Sequence, residues 1–106
     1  MWNFTAKDKI NSRTGVTLEK VKGTKLTVIG YGEFERSDAK ETDVTVTVGA
    51  IVTTDGIYTT ISKTAREAMN DVVDYVTDEN LDSCVIEVGS RISNNGREFL
   101  TISLVE

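Results

Sequence analysis

Three aromatic residues of this 106-residue chain lie on predicted strands with their rings turned away from the apolar side. Side chains alternate between the two faces of a strand, so the neighbours of a ring indicate which face it occupies. The rings that fall opposite leucine, isoleucine and valine are Tyr31, Tyr58 and Phe99. Unpaired nucleobases stack on outward aromatic rings, with a gain of roughly 1–3 kcal/mol per base. The pattern therefore indicates chemistry suited to single-stranded nucleic acid.

Basic residues occupy the loops expected beside these rings. The loop RSDAKET carries Arg36 and Lys40, and the turn RISNNGR carries Arg91 and Arg97. Lys63 stands near the start of the predicted helix. Cations that contact phosphates, placed beside rings that stack on bases, are typical of sequence-independent binding of a single strand. We predict these five residues as phosphate contacts.

Each ring also has a purely structural interpretation. Tyrosine favours strands and packs against cross-strand neighbours, so stacking on a base and packing within the sheet are equally open for Tyr58. Phe34 falls on the predicted apolar face of its strand, which favours a place in the core. Trp2 and Phe4 are expected in the core too, beneath an added N-terminal strand. Surface cations commonly serve solubility alone.

Charge is distributed unevenly along the chain, whose net charge is −5. Residues 1–40 hold eight basic and five acidic residues, a balance of +3, whereas residues 41–106 hold four and twelve, a balance of −8. Much of the acid lies between Asp71 and Asp82. The favoured interpretation is a solvated acidic face, because no metal-loop spacing is present. A second hypothesis is an acidic protein-binding module that imitates DNA and occupies a host DNA-processing enzyme.

Composition argues against catalysis. Histidine is absent, which removes the commonest general base and the commonest transition-metal ligand. No spacing indicates a nucleophile, a metal site or a phosphate-cradling loop, so we expect no enzyme activity, no cofactor and no small-molecule substrate. The lone Cys84 is expected as a buried thiol. No apolar run is long enough for a membrane span or a secretory signal, which predicts a cytoplasmic protein without a membrane partner.

The hydrophobic pattern predicts one domain over residues 1–106 that is mostly β. Alternation indicates a first strand from Trp2 to about Ile10, followed by five strands and one helix. These five strands begin near residues 25, 44, 57, 84 and 97. The helix follows a cap at Ser62 or Thr64 and runs to about Tyr75 or Thr77. A single helix between the third and fourth of five strands is typical of an OB-like Greek-key barrel. An open α+β sheet with one covering helix fits the same pattern.

The segments SDAKETDVTVTV, TTDGIYTTISKTAREAMNDVVDYVT and SNNGREFLTISL resemble the single-stranded DNA-binding proteins of small tailed phages that replicate linear genomes from a terminal-protein primer. The resemblance extends from about residue 10 to the C-terminus and is densest over residues 37–77. It implies an OB-like fold, with single-stranded DNA as the ligand and a viral DNA polymerase as a further partner. Such a protein coats displaced strands during viral DNA replication in the host cytoplasm.

The resemblance also implies roles for particular residues. Tyr31 in VIGYGE and Tyr58 in GIYTTISKT match positions where the family places rings suited to stacking. The loop before SDAKE is shorter here, and the aromatic residue expected near Arg36 is replaced by the cation itself. Phe34, two residues earlier, is therefore a further candidate for stacking.

Overall fold

The structure, a computed structural model, describes residues 2–37 and 45–105. The described chain contains two α-helices, two short 3-10 helices and six strands. In chain order these are α1 (Ala6–Asn11), a 3-10 helix (Ser12–Thr14), β1 (Val16–Thr17), a second 3-10 helix (Leu18–Val21), β2 (Lys25–Ser37), β3 (Thr45–Thr53), β4 (Gly56–Thr60), α2 (Lys63–Asp78), β5 (Cys84–Ile92) and β6 (Glu98–Val105).

The described strands form one curled sheet in the order β1-β4-β3-β2-β5-β6. β1 pairs with β4 in parallel, and every other described pair is antiparallel. The mostly β class is confirmed, as are the five strands from β2 to β6 and the helix between β4 and β5. The specific description of a five-stranded barrel with an added strand at residues 2–10 differs from the structure, because the sixth strand is the short β1 and residues 6–11 form a second helix.

The N-terminal strand was predicted wrongly. Trp2 exchanges two backbone hydrogen bonds with Tyr31, of 2.9 and 2.7 Å, but the chain then turns into α1. The Thr5 hydroxyl accepts from the Asp8 amide, and the Asp8 carboxylate accepts from the Thr5 amide. This reciprocal pair is a capping box, which satisfies two amides that a helix start otherwise leaves open. It outweighs the brief alternation of Trp2, Phe4 and Ala6.

A bulge in β2 reverses its side-chain alternation. Val28 lies opposite Thr53, but Gly30 lies opposite Val52, so Ile29 is an extra residue in β2. An extra residue shifts all later side chains to the other face. Tyr31 consequently shares the face of Leu26 and Val28. Gly30 and Gly32 therefore lie on the opposite face.

The inner face of the sheet, which bears Tyr31 and Ile51, is covered by α2. The Ser62 side chain caps this helix by accepting from the Ala65 amide at 3.3 Å, as the sequence predicted. The helix buries a stripe of four apolar residues against the sheet: Ala65, Met69, Val72 and Val76. The main core consists of this helix face and the inner face of β2, β3, β5 and β6.

The outer face of β2, β3 and β4 is covered by the N-terminal segment, residues 2–15. A Cβ on Gly32 would lie 2.1 Å from the Phe4 ring, so that ring rests directly on the backbone of β2. At the far end of the segment, a Cβ on Gly15 would lie 2.9 Å from the Ile57 carbonyl of β4. The segment therefore crosses the sheet from β2 to β4, and Val48 and Ala50 of β3 are buried beneath it.

The second 3-10 helix lies between β4 and β6, which are not paired within the described chain. Leu18 is fully buried there, and Glu19 lines clefts shared with the end of β4 and the start of β6. An ion pair between Lys22 and Glu98 joins the following turn to β6. Neither α-helix of the described chain is long and apolar enough to cross a membrane.

Candidate nucleic-acid interface

Tyr31 is sealed inside the protein. Its side chain is 1% exposed, so the prediction of an outward ring is wrong, and the bulge at Ile29 is the reason. The phenol donates a hydrogen bond to Glu33 Oε2 at 2.7 Å. Burial, and then the bond to the Glu33 carboxylate, raise the pKa of Tyr31 far above its usual value. The ring is a structural part of the core in this conformation.

A polar cluster around Glu33 joins α2 to β2. Asn70 Nδ2 of the helix donates to Glu33 Oε2 at 3.1 Å, the same oxygen that receives the Tyr31 phenol. The Arg66 stem crosses Gly49, where a Cβ would lie 3.0 Å from Arg66 Cγ. Arg66 Nε is buried without a hydrogen-bond partner in the described chain. The cluster lies beneath the helix, on the side of the sheet away from the N-terminal segment.

Tyr58 lies on the inner face, directly opposite Ile51 and beside Val16 of β1. The prediction that Tyr58 turns outward was therefore wrong in face: Thr60, two residues later on the same face, is buried, and Ile61 is 58% exposed. Tyr58 is only half-buried, however, because β1 is a two-residue edge. Tyr58 packs on the core, and the residue also lines an open cleft with residues of the N-terminal segment.

Phe99 lies at the start of β6, opposite Arg91 of β5. Its ring is half-buried and lines a cleft with Glu19, Ser62 and the neighbouring part of β6. Arg91 and the loop residue Arg97 are exposed. The β5–β6 hairpin thus brings one partly accessible ring together with two cations. Its turn has the positive-φ glycine that SNNG predicts, Gly96 with φ of 79°.

Phe34 lies on the outer face, because it follows the bulge and pairs with Val48. The prediction of a core position is wrong, since the ring is half-buried at a cleft rather than beneath α2. Phe4 and Lys9 line the same cleft, and Lys9 Nζ lies 5.8 Å from the centre of the Phe34 ring. Sequence reasoning missed both of these residues. The signal was the Thr5-x-x-Asp8 capping box, which would have placed Lys9 on a helix.

The predicted cations form two groups. Arg36 follows Phe34 on the outer face and lines a cleft of about 260 Å³ with the ends of β3 and β4. Arg91 and Arg97 accompany Phe99. Glu19 lines both the Arg36 cleft and the Phe99 cleft, so the two clefts adjoin at the second 3-10 helix, and Glu98 also lines the Phe99 cleft. We call the two clefts together the depression. Lys63 is exposed and lies 3.9 Å from Glu67, and Lys40 lies outside the described residues.

The acidic residues of α2 and the loop after it are all exposed. They are Glu67, Asp71, Asp74, Asp78, Glu79 and Asp82. In residues 2–37 and 45–105, no group of three or more carboxylate, thiol or imidazole side chains has the arrangement of a metal site. Cys84 is half-buried, and burial raises the pKa of its thiol.

Comparison with known proteins agrees with the resemblance found in the sequence. The family described as Phage Single-stranded DNA-binding protein matches residues 9–105. The single-stranded DNA-binding protein of Bacillus phage B103 is 35% identical over 91 residues, which cover 80% of this chain and 71% of the relative. Those of Bacillus phages PZA and phi29 are each 38% identical over 68 residues, 63% of this chain.

The matches to the PZA and phi29 proteins span about half of those relatives, 52% of each. No solved structure matches the chain. The family match nevertheless covers almost the whole chain and includes β1 to β6 and α2. The chain therefore belongs to the phage single-stranded DNA-binding protein family.

Proposed function

We propose that this protein binds single-stranded DNA without sequence preference. The observation that carries the proposal is the family match over residues 9–105. The depression formed by the Arg36 and Phe99 clefts supports it, because half-buried rings and exposed arginines are suited to bases and phosphates respectively. The protein acts by binding and not by catalysis.

Three rings are the stacking residues in this proposal: Tyr58, Phe99 and Phe34. The phosphate partners are Arg36, Lys40, Lys63, Arg91 and Arg97. Tyr31 is left out of the binding surface, because base stacking would require its ring to leave a fully packed site and the Glu33 carboxylate.

The strand order supports an OB-like interpretation of the sheet. β2 lies at the centre between β3 and β5, with β4 and β6 at the far positions and α2 connecting β4 to β5. This is the order expected of an OB-like barrel that is left open between its third and fifth strands. The second 3-10 helix occupies the opening, and the proposed DNA path runs across it.

The biological role that follows is the coating of displaced strands during viral DNA replication. Coating requires tolerance of every sequence, which stacking on rings provides since every base has an aromatic face. The protein would act in the host cytoplasm, beside the viral DNA polymerase. The net negative charge of the protein would limit its nonspecific binding to other polyanions, while the local arginines would orient the DNA strand.

A fluorescence titration tests the function. Trp2 is the single tryptophan, and we expect oligothymidine, but not duplex DNA of equal length, to change its emission and that of the tyrosines. We expect Tyr58→Leu to weaken oligothymidine binding by roughly fivefold to a hundredfold, as the loss of one stacking ring predicts. Thr54→Ala, an exposed change in the neighbouring β3–β4 turn, is the control. A folded wild-type protein that binds no oligothymidine would refute the proposed function.

A further inference from the structure

A cleft of about 240 Å³ opens between α1 and β2 on the outer face, lined by Phe4, Thr5, Ala6, Lys9, Glu33 and Phe34. We call it the phenylalanine cleft. Two aromatic side chains and one ammonium group meet there, although their residues are far apart in the chain. Phe4, Thr5 and Ala6 precede the family match, which begins at residue 9, so the match covers the β2 side of the cleft and Lys9 but not the Phe4 side.

The residues of the cleft are held in place from both sides. Trp2 is fixed to Tyr31 by two backbone hydrogen bonds, and the Asn3 carbonyl rests on Gly30, where a Cβ would lie 2.6 Å away. The Phe4 ring lies against Gly32 in the same way. On the other side, the capping box of Thr5 fixes the start of α1, which carries Lys9. A cleft fixed in this way loses little conformational entropy when a ligand binds.

The chemistry of the cleft fits one nucleotide of a single strand. Phe34 is half-buried, so part of its ring remains accessible to a flat, apolar partner such as a nucleobase. The Lys9 ammonium lies over that ring, 5.8 Å from its centre. Lys9 is exposed, so its long side chain can move aside for a stacked base and contact the adjacent phosphate. One oxygen of the Glu33 carboxylate, Oε2, accepts hydrogen bonds from Tyr31 and Asn70 on the α2 side of the sheet, which directs this charge away from the outer face.

The cleft also continues the depression described above. Phe34 and Arg36 are two residues apart on one strand and therefore share its outer face. Phe34 lines the phenylalanine cleft and Arg36 lines the next cleft along the sheet. The N-terminal segment adds a balance of +2 to this side, from three basic residues and one acidic residue in residues 2–15.

We propose that the N-terminal segment supplies a nucleotide subsite of the single-strand interface, in which a base contacts Phe4 and Phe34 and Lys9 contacts the adjacent phosphate. This inference rests on the proposed function and extends the path of the strand from the barrel opening onto α1. It predicts a longer binding site than the depression near β4 and β6 would give alone.

Substitutions that keep the apolar cover but remove the aromatic ring test the subsite. We expect Phe34→Leu and Phe4→Leu each to weaken binding of a fluorescently labelled oligothymidine by roughly fivefold to a hundredfold. Lys9→Gln should weaken binding and reduce the slope of log K against log salt by about 0.7. Lys7→Gln is the matched control, because it makes the same charge change on the same helix two residues away, where side chains do not face each other.

The outcomes separate the subsite from the function. Wild-type binding with all three variants unchanged would overturn the subsite and leave the proposed function standing, whereas absence of wild-type binding would remove both. Equal effects of Lys7→Gln and Lys9→Gln would also overturn the subsite, because they would indicate general electrostatics. If a phenylalanine variant fails to fold, photo-cross-linking of bromouracil-substituted oligothymidine to the wild-type protein tests the subsite instead. Cross-links at Phe4 or Phe34 would support the subsite. Cross-links at other residues, with none at Phe4 or Phe34, would overturn it.

Discussion

The two segments that cover the faces of the sheet, α2 and the N-terminal segment, have opposite net charge and bury the residues beside them to different extents. α2 covers the inner face and holds two basic and four acidic residues over residues 63–78, a balance of −2. The N-terminal segment covers the outer face with a balance of +2 over residues 2–15. Beneath α2, Tyr31, Ile51 and Met69 are sealed, whereas beside the N-terminal segment the Phe34 ring remains partly accessible.

This difference indicates how one small sheet separates stability from binding. The helix buries the larger share of the apolar core, and its solvent side repels a polyanion. The N-terminal segment is short and basic, and it leaves clefts at its edges. A strand of DNA is therefore expected along the outer face and the barrel opening, while substitutions under α2 change the free energy of unfolding without changing the binding surface.

Truncation beneath the helix should have the largest effect on stability. We expect Met69→Ala to lower the free energy of unfolding by about 2–5 kcal/mol, because Met69 is fully buried and its loss leaves a cavity. Urea denaturation measures the change, with exposed Asp74→Ala on the same helix as control. Folded Met69→Ala should bind oligothymidine like the wild type. A loss below about 1 kcal/mol would contradict the assignment of α2 as the main stabilising cover.

Displacing the outer cover should cost less stability but more binding. In Gly32→Ala the new methyl would overlap the Phe4 ring, so the ring must move, at a cost of about 1–3 kcal/mol in the free energy of unfolding. Oligothymidine affinity should fall as well, because the phenylalanine cleft is then distorted.

Gly89→Ala is the matched control for that change. Gly89 also lies in a strand, and the nearest neighbour of a new Cβ would be the Thr101 hydroxyl at 3.0 Å. We expect a smaller loss of stability there and unchanged affinity. Gly89 lies on the outer face of β5, away from Phe4, so equal affinity of the two variants would show that the phenylalanine cleft makes no particular contribution to binding.

The smallest change is the removal of one hydroxyl from the inner face. Tyr31→Phe deletes the hydrogen bond to Glu33, which retains Asn70, so we expect a loss of about 1–2 kcal/mol. The raised pKa of Tyr31 also makes a prediction about pH. The neutral phenol is the form favoured by folding, so its stabilisation is complete below the unfolded pKa of about 10 and declines as the pH rises from there toward the folded pKa.

Urea titrations of both proteins between pH 8 and about 11 test this sign. Above pH of about 10 the wild type should lose stability with pH more steeply than Tyr31→Phe, since only the wild type carries this phenol. Parallel curves would show that folding does not raise the pKa of Tyr31. Oligothymidine affinity at neutral pH should be the same for both proteins.

The sequence predicted the elements better than it predicted the faces. Regular alternation in β3 and the apolar stripe of α2 are local signals, and both elements were located within a few residues. Tyr31 was assigned to the wrong face because one extra residue at Ile29 reverses the alternation, and nothing in VIGYG announces a bulge. Tyr58 was misjudged because Thr60, and not Ile61, is buried at the end of β4.

The candidate site was predicted in part for a similar reason. Phe99, Arg91 and Arg97 could be grouped because a short hairpin fixes which residues oppose each other. The phenylalanine cleft could not be predicted, because it depends on where α1 packs against a distant strand. Residues 2–10 contain two competing patterns, an alternation of three apolar residues and a capping box. The structure has the capping box, together with packing of residues 2–4 on Gly30 and Gly32.

The most direct test of the separation between the two covers is an amide chemical-shift titration of nitrogen-15-labelled protein with oligothymidine. We predict that the largest shifts fall on the N-terminal segment, on residues 34–36 and 58, and on the β5–β6 hairpin, with small shifts along the exposed side of α2. The largest shifts on Asp71, Asp74 and Asp78, with none on the outer face, would contradict the assignment of the outer face and barrel opening to DNA.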